Sequence, residues 1–372
     1  MPAQESRFGP LSKGTEVVAE FAGRVEGRVS NGKEKMRWRG VVKPKLTTTP
    51  PPVLITGVSP SSLGAQLALT LSTHSPSLLI LASRTLSKIH LVTTHILSIH
   101  PSANLACLQV DFSDLDSVRK AAAEVRRILD NHGPGRGIDV LFNNAGINIC
   151  ERLLAPGSGV EMQFATNHLG PFLFTNLLLP LILRGDLVPS GMKRIVNTSS
   201  EAHRISPIRF SDINLEAGKQ VPDEEMPRKN LPEGVLRGGG AYEHAVAYGQ
   251  SKTANVLFAV GLNGRVGKGG VRSFAVNPGT IMTSLVRDLD STAMESLMKI
   301  PDWKSFDQGI ATMLVAALDP DLDPVDGVYL DDCRQRRAAK WAVDEAAAER
   351  LWKVSEELVG ESFGEDKGRC KL

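Results

Sequence analysis

Cysteine pairing is the first thing this sequence lacks. Its four cysteines, Cys107, Cys150, Cys333 and Cys370, stand far apart with no CxxC spacing, so zinc-ribbon and dithiol-redox motifs are excluded and a reducing compartment is expected. His90, His95 and His100 recur every five residues, which scatters the rings around a helix and assembles no metal site. A dominant charge is lacking too: 43 Lys+Arg against 41 Asp+Glu leave a formal net charge of +2, with no overall field to recruit nucleic acid or a membrane surface. The longest apolar run, LGPFLFTNLLLPLIL at 169–183, is interrupted by Pro171, Asn176 and Pro180 and falls short of the roughly 20 residues that span a bilayer. It reads as a buried helix. The opening MPAQESRFGP has neither the basic start nor the apolar segment of a secretory signal, so the expectation is a cytoplasmic protein acting on a small molecule.

What is present is the material of a large globular domain: 372 residues, 42% hydrophobic and 23% charged. Residues 1–52 read as an N-terminal extension, mostly flexible and basic. Its stretch from Arg28 through Lys33, Lys35, Arg37, Arg39, Lys43 and Lys45 to TTTPPP offers little apolar surface to offset the entropy of ordering. From Val53 the pattern changes. Short apolar runs rich in β-branched residues, VLITG at 53, LLILA at 78, LACLQV at 105, IDVLFNN at 138, KRIVNTSS at 193, VRSFAVNPG at 271 and GVYL at 327, alternate with helical stretches. One of these, SDLDSVRKAAAEVRRILDNHG at 113–133, carries a Ser or Asp cap and a closing Gly133. Apolar strands alternating with helices predict an α/β, Rossmann-type doubly wound parallel sheet of about seven strands, with helices on both faces. The single catalytic domain is expected over 53–360, with a polar insertion at about 202–243 and a C-terminal tail at 361–372.

In such sheets ligands gather where the strand order reverses, at the carboxyl ends of the strands. VLITGVSPSSLG at 53–64 places Gly57 and Gly64 around the first strand-to-helix turn, where backbone N–H groups and a helix N-terminus can hold a pyrophosphate. Alone it is a weak signal, because glycine turns also serve packing. Four further stretches add to it: NNAG at 143–146, Asn167 within NHLG, NTSS ending at Ser200, and YGQSK at 248–252. Tyr248 and Lys252, four residues apart, share one helix face and can reach one point. GLNGRVGKGG at 261–270 follows a helix and lacks a Ser or Thr after its Lys, so it is a helix-to-strand connection and not a phosphate loop.

Taken in order, and closed by Asn277-Pro278-Gly279 with Thr283, these stretches resemble the short-chain dehydrogenase/reductase family over about residues 53–360. NHLGPFLFTNLLLP, RIVNTSSEAH and YGQSKTANVLF bring the chain nearest to its group of retinol dehydrogenases and WW-domain oxidoreductases, fungal-type members included. The resemblance implies an NADP(H)-dependent oxidoreductase that moves a hydride between nicotinamide and a carbonyl or alcohol. Tyr248 would be the general acid/base, Lys252 its charged neighbour, Ser200 the second hydrogen bond to substrate oxygen, and Asn167 the anchor of a proton relay. Thr56, Gly57, Ser59, Ser62, Leu63 and Gly64 would form the cofactor turn. Asp111, Asn143, Ala145 and Gly146 would lie beside adenine and its ribose, and Tyr248, Lys252, Pro278, Gly279 and Thr283 at the nicotinamide end. Arg84 stands after the second strand, where an acidic residue would select NAD(H), so NADP(H) is favoured over NAD(H).

No metal is implied. Where the longer family turn has two glycines this chain has Ser61 and Ser62, and serine costs most where φ must be positive. A catalytically inactive nucleotide-binding scaffold or regulator on the same fold is therefore the alternative. An epimerase or dehydratase is a third class, with a shorter glycine turn and a larger C-terminal domain than this chain has. Leu285, Met294, Leu297, Met298 and Trp303, after the NPG turn, suggest an apolar substrate wall, and a packing helix explains the same residues about as well. Residues 216–240 read as a mobile flap or a disordered segment, and a homo-oligomer is possible within the family.

Overall fold

The computed structural model describes residues 7–25, 51–133, 135–184, 193–231, 235–236, 242–322 and 327–364. The basic stretch of the extension up to Pro50, part of the polar insertion, and Cys370 lie outside the described residues. In chain order the elements are α1 (Gly14–Glu20), α2 (Ala22–Val25), β1 (Pro52–Thr56), α3 (Leu63–Ser72), β2 (Leu78–Ser83), α4 (Leu86–Ile99), β3 (Leu105–Gln109), α5 (Leu115–His132) and β4 (Val140–Asn143). They continue with α6 (Met162–Phe164), α7 (Gly170–Leu183), β5 (Lys193–Thr198), α8 (His244–Val266), β6 (Val271–Asn277), α9 (Ser291–Met298), α10 (Phe306–Leu318), β7 (Tyr329–Asp331), β8 (Arg334–Gln335) and α11 (Glu345–Val359).

The sheet runs β3-β2-β1-β4-β5-β6-β7-β8. Every pairing up to β7 is parallel, and β8 returns antiparallel, with Leu330 opposite Gln335. All seven expected strands form, and β8, two residues long, carries no period by which a sequence could announce it. Because β1 and β4 are neighbours while the chain travels outward to β3 in between, the order reverses at their carboxyl ends. There a crevice opens. The central strands are buried on both faces, as β1 and β4 show throughout their length, which is why their sequences are apolar instead of alternating.

The helices form where their caps direct. Asp114 accepts from Asp116 N at the start of α5, and Gly133 ends it at φ 142°, as the sequence predicts. The apolar run at 169–183 becomes α7 with Pro180 inside it, preceded by one turn of π-helix over Ala165–Leu169. Such a turn widens the backbone, and it is frequent at functional sites; here it frees the Asn167 carbonyl to accept from Asn255 Nδ2 at 2.7 Å.

The first part of the N-terminal extension is folded. Val17, Val18, Phe21 and Val25 are buried in the same cluster as Ile310 and Leu314 of α10, and Asp307 accepts from Thr15 N at 3.0 Å and Thr15 Oγ1 at 2.8 Å. Gly14 meets Ile310 so closely that a Cβ would overlap it. Phe8 packs against the same cluster, its ring 5.9 Å from that of Phe21, so a small apolar set docks this part of the extension.

The polar insertion also departs from the expected flap. Glu225 is buried and accepts from Ser211 N at 2.9 Å, and Arg228 N donates to Ile205 O at 2.8 Å. Hydrogen bonds, not apolar area, tie residues 216–231 down, so hydrophobicity could not reveal it.

Candidate active site

The crevice at the switch point is a cleft of about 220 Å³. At its base Thr56 Oγ1 donates to Phe142 O and accepts from Asn144 N at 2.9 Å and Ala145 N at 3.0 Å, welding the turn after β1 to the turn after β4. Gly57 has φ +75°, and a Cβ there would lie 2.8 Å from Ala145 Cα; at Gly64 it would lie 2.6 Å from Gly57 O. Both glycines are required by close backbone approach.

The two serines in this turn have different roles. Ser62 lies at φ −125° as the N-cap of α3, accepting from Ala65 N and Ser59 N at 3.1 Å each, and its own proton goes to Ser59 O at 2.7 Å. It replaces glycine with a cap. Ser61 is held at φ +56° and is exposed, where a side chain costs about 1–2 kcal/mol. Ser61→Gly should therefore raise stability by about 1 kcal/mol, less the greater backbone entropy of glycine. Urea unfolding measures this, and an unchanged or lowered midpoint would refute it.

Gly57, Ser59, Ser62, Leu63, Ala145, Gly146, Pro278, Gly279 and Thr283 line the cleft, with Arg84, Ser200, Tyr248 and Lys252. Thr56 and Gly64 shape it from behind. Asp111 and Asn143 are not among its lining residues. Asp111 spends its carboxylate on Ser113 N and Oγ, and Val110 and Phe112 face the cleft instead. Asn143 ends β4 pointing into the helix layer, where Nδ2 donates to Thr175 Oγ1 and Asn197 Oδ1 at 2.9 Å each. Asn144, the next residue, lines the cleft and ties back to Thr56 O at 2.8 Å.

Asn167 is also engaged behind the lining: Oδ1 accepts from Ile147 N at 2.8 Å, while Nδ2 donates to Ile147 O and Ser251 Oγ at 3.0 Å. It clamps the loop after β4 to α8. Of the five apolar residues expected after the NPG turn, only Leu285 lines the cleft; α9 lies largely exposed, Met298 included. Lys88, in the first turn of α4, lines it with the N-cap Thr85. A second basic residue just inside the helix that opens after Arg84 is the signal by which Lys88 could have been found.

On the wall formed by α8 and the end of β5, Tyr248 and Ser200 share a hydrogen bond, and Lys252 Nζ lies 5.4 Å from the Tyr248 ring centroid while donating to Thr198 O at 3.0 Å. Ser199, beside Ser200, also lines the cleft, but its hydroxyl donates to Lys252 O at 2.8 Å, so of the two it is Ser200 that meets Tyr248. Burial drives the Tyr248 phenol above its ordinary value, opposed by the Ser200 hydrogen bond. Burial pulls the Lys252 ammonium down from 10.5 to about 7.

The consequence for stability follows from which state binds the proton. Between about pH 7 and 10.5 the unfolded chain keeps the Lys252 proton that the folded chain has released, so folding stability rises with pH through that window. The cost of burying the amine is complete below pH 7 and gone above 10.5. Lys252→Met should thus melt above the wild type at pH 6 in nucleotide-free protein, and this advantage should shrink toward pH 10. An advantage independent of pH would refute it.

Among the described residues there is no group of three or more His, Cys, Asp or Glu that could hold a metal ion. The cleft does suit a dinucleotide. Its glycines bring backbone within reach of a phosphate, and Thr198 Oγ1 and Asn148 Oδ1, both on lining residues, are buried with no protein partner. Among the described residues no helix is long and apolar enough to cross a membrane.

Comparison with known proteins agrees with this geometry. The sequence profile of the short chain dehydrogenase family matches residues 52–211. The chain is 35% identical to a chloroplastic short-chain dehydrogenase, TIC 32 A, of Brassica napus, over 82% of this chain and 88% of that one. It is 36% identical to retinol dehydrogenase 12 of Mus musculus, over 68% and 69%. Among solved structures, an uncharacterized protein from Mycobacterium Paratuberculosis superposes with a TM-score of 0.60 at 28% identity, covering 86% of this chain and 96% of that one.

Proposed function

The chain belongs to the short-chain dehydrogenase family and is a nicotinamide-dependent oxidoreductase acting on CH–OH or C=O groups, and from that premise we propose that it is an NADP(H)-dependent reductase of apolar aldehydes or ketones in which Tyr248 donates the proton. The observation that carries this reading is the convergence of Ser200, Tyr248 and Lys252 on one wall of the cleft.

Nicotinamide, when bound, supplies the hydride, and the protein's task is positioning and charge. Reduction of a carbonyl builds negative charge on its oxygen, so a donor must stand within hydrogen-bond reach. The Tyr248 phenol, held protonated by burial, is that donor, and the Ser200 hydroxyl gives the oxygen its second hydrogen bond. Lys252, on the same face of α8, favours the phenolate that remains once its positive form is restored by a nearby anionic ligand. Asn167 acts one step back, keeping Ile147 and Ser251 in place. Thr56, Gly57, Ser59, Ser62, Leu63 and Gly64 form the phosphate cradle with Ala145 and Gly146. Pro278, Gly279 and Thr283 hold the nicotinamide end, and Arg84 with Lys88 the 2′-phosphate. Asp111 and Asn143 contribute by holding the strand ends.

Ile147, Ile281 and Leu285 give the cleft apolar wall, which suits a hydrophobic carbonyl such as the retinoid named by one relative. A cytoplasmic setting belongs to the same proposal, as does a single catalytic domain over 53–360 on which the α1–α2 segment docks. The test is titration with NADPH and NADH by nicotinamide fluorescence, followed by turnover of decanal and all-trans-retinal. Tighter NADPH binding with reduction of either aldehyde is expected. Preference for NADH, or nucleotide binding with neither aldehyde reduced, would overturn the cofactor or substrate assignment respectively.

A further inference from the structure

The stretch SSEAH, through which the sequence resembles its group, ends in a histidine for which the chemistry above has no use. His203 is fully buried and sits in the short 3₁₀ turn Glu201–Arg204 that follows Ser200. All of its polar atoms are engaged. Its backbone N–H donates to Ser200 O at 3.1 Å and its ring Nδ1 donates to the same carbonyl at 2.7 Å. Nε2 accepts from Ala339 N at 3.1 Å, and its own carbonyl accepts from Thr253 Oγ1 at 2.9 Å and Trp341 Nε1 at 3.0 Å. The ring lies 4.7 Å from that of Tyr329.

Those partners assign the tautomer. A carbonyl can only accept and a backbone amide can only donate, so the proton resides on Nδ1 and Nε2 is bare. Burial, the largest influence, holds the imidazole below its ordinary value, against the Ser200 carbonyl bond, and keeps it neutral. Two further bonds run in parallel between the same two segments: Tyr329 Oη donates to Glu201 Oε1 at 3.0 Å, and Arg204 Nη2 to Arg337 O at 2.6 Å. On its other side the turn is pressed against α8, where a Cβ at Gly249 would come within 2.9 Å of Ala202 O. Gly249 follows Tyr248 directly. The turn that starts at Ser200 is thus wedged between the helix that carries Tyr248 and a segment nearly 140 residues away in sequence.

We propose that His203 is a positioning residue for the reaction: its imidazole ties the carbonyl of Ser200 to the backbone amide of Ala339, so that the C-terminal segment 329–341, together with α8, sets where the Ser200 hydroxyl stands relative to Tyr248. This rests on the catalytic reading of Ser200 given above. Its energetic basis is that a fully satisfied buried network has one geometry, whereas removing one partner leaves a buried donor or acceptor exposed to no water and lets the turn move.

The test is kinetic, with NADPH and decanal, on His203→Leu, His203→Asn, Ala339→Pro, Ser200→Ala and the double variant Ser200→Ala/His203→Leu. Ala339 already has φ −60°, so proline keeps the backbone angle while its ring carbon takes the place of the N–H that His203 Nε2 accepts, which removes that bond and pushes the imidazole aside. His203→Leu is expected to lower kcat about 10- to 100-fold, the scale of a small misplacement of a reacting group, with the NADPH dissociation constant within about twofold. His203→Asn, whose carboxamide can still donate to Ser200 O but is too short to accept from Ala339 N, should recover part of the loss, to no more than the kcat that Ala339→Pro keeps. Ala339→Pro should lower kcat in the same sense with binding preserved. In the Ser200→Ala background His203→Leu should have little further effect, because a residue that acts through Ser200 has nothing left to position.

Equal losses in the Leu and Asn variants, a loss that follows NADPH affinity, or an undiminished loss in the Ser200→Ala background would overturn the proposal. Full kcat in Ala339→Pro would overturn it even where His203→Leu does not fold. If Ser200→Ala alone keeps the wild-type kcat, the catalytic reading of Ser200 fails, which is a separate outcome.

Discussion

Tyr248→Phe removes one oxygen atom and should lower carbonyl reduction by about 10³-fold, within the range that a positioned acid contributes. The ring stays, and with it the contact of Lys252 Nζ with the aromatic face, so NADPH should bind the variant as it binds the wild type. This separation of binding from turnover gives the experiment its force. Loss of the phenol also leaves the Ser200 hydroxyl without its partner across the cleft, but a serine facing a cleft can turn to water, so stability should change little. The check is single-turnover reduction of decanal beside fluorescence titration of NADPH. A variant that retains more than about a tenth of the wild-type rate would assign the proton to another group and remove Tyr248 from the mechanism.

Reversing the charge at the far end should change affinity instead of rate. In Arg84→Asp, NADPH should bind on the order of 10²-fold more weakly, while NADH affinity moves by less than about threefold. A charge-assisted hydrogen bond to a phosphate contributes about 1.5–3 kcal/mol, and each 1.4 kcal/mol is tenfold; a carboxylate in its place adds repulsion to the loss. The Arg84 backbone anchors the strand end independently, since its carbonyl accepts from Gln109 Nε2 at 2.9 Å, so the substitution should leave the turn in place. Lys88, lining the same part of the cleft, limits the effect, and Lys88→Ala in the Arg84→Asp background should weaken NADPH further. Equal weakening of NADPH and NADH would show that Arg84 meets a group common to both nucleotides, and the preference for NADP(H) would have to be sought elsewhere.

Much of this molecule is legible before any fold is seen, and the particular residues show why. Strands β1, β2 and β4 announce themselves because a strand covered on both faces must be apolar along its length, and α5 because its cap and stop are local in sequence. The same holds for YGQSK: a four-residue spacing on a helix puts Tyr248 and Lys252 on one face whatever surrounds them. Ser61 and Ser62, by contrast, are adjacent and identical, yet one occupies a strained φ and the other caps α3. Asn143 and Asn144 part in the same way, because successive side chains at a strand end point to opposite sides. Residue type does not reveal which of two neighbours faces the cleft.

The chain's own order of residues thus determined a doubly wound sheet, the place of its crevice and the helix face that carries Tyr248 and Lys252, since each depends on periods and caps a few residues long. Only the tertiary structure decided how α1 docks on α10, why residues 216–231 lie against the domain, and how Ala339 and Trp341 come to hold the turn behind Ser200. These are contacts between segments as many as about 290 residues apart, made by apolar packing at α1 and by hydrogen bonds elsewhere, and no local pattern encodes the partners.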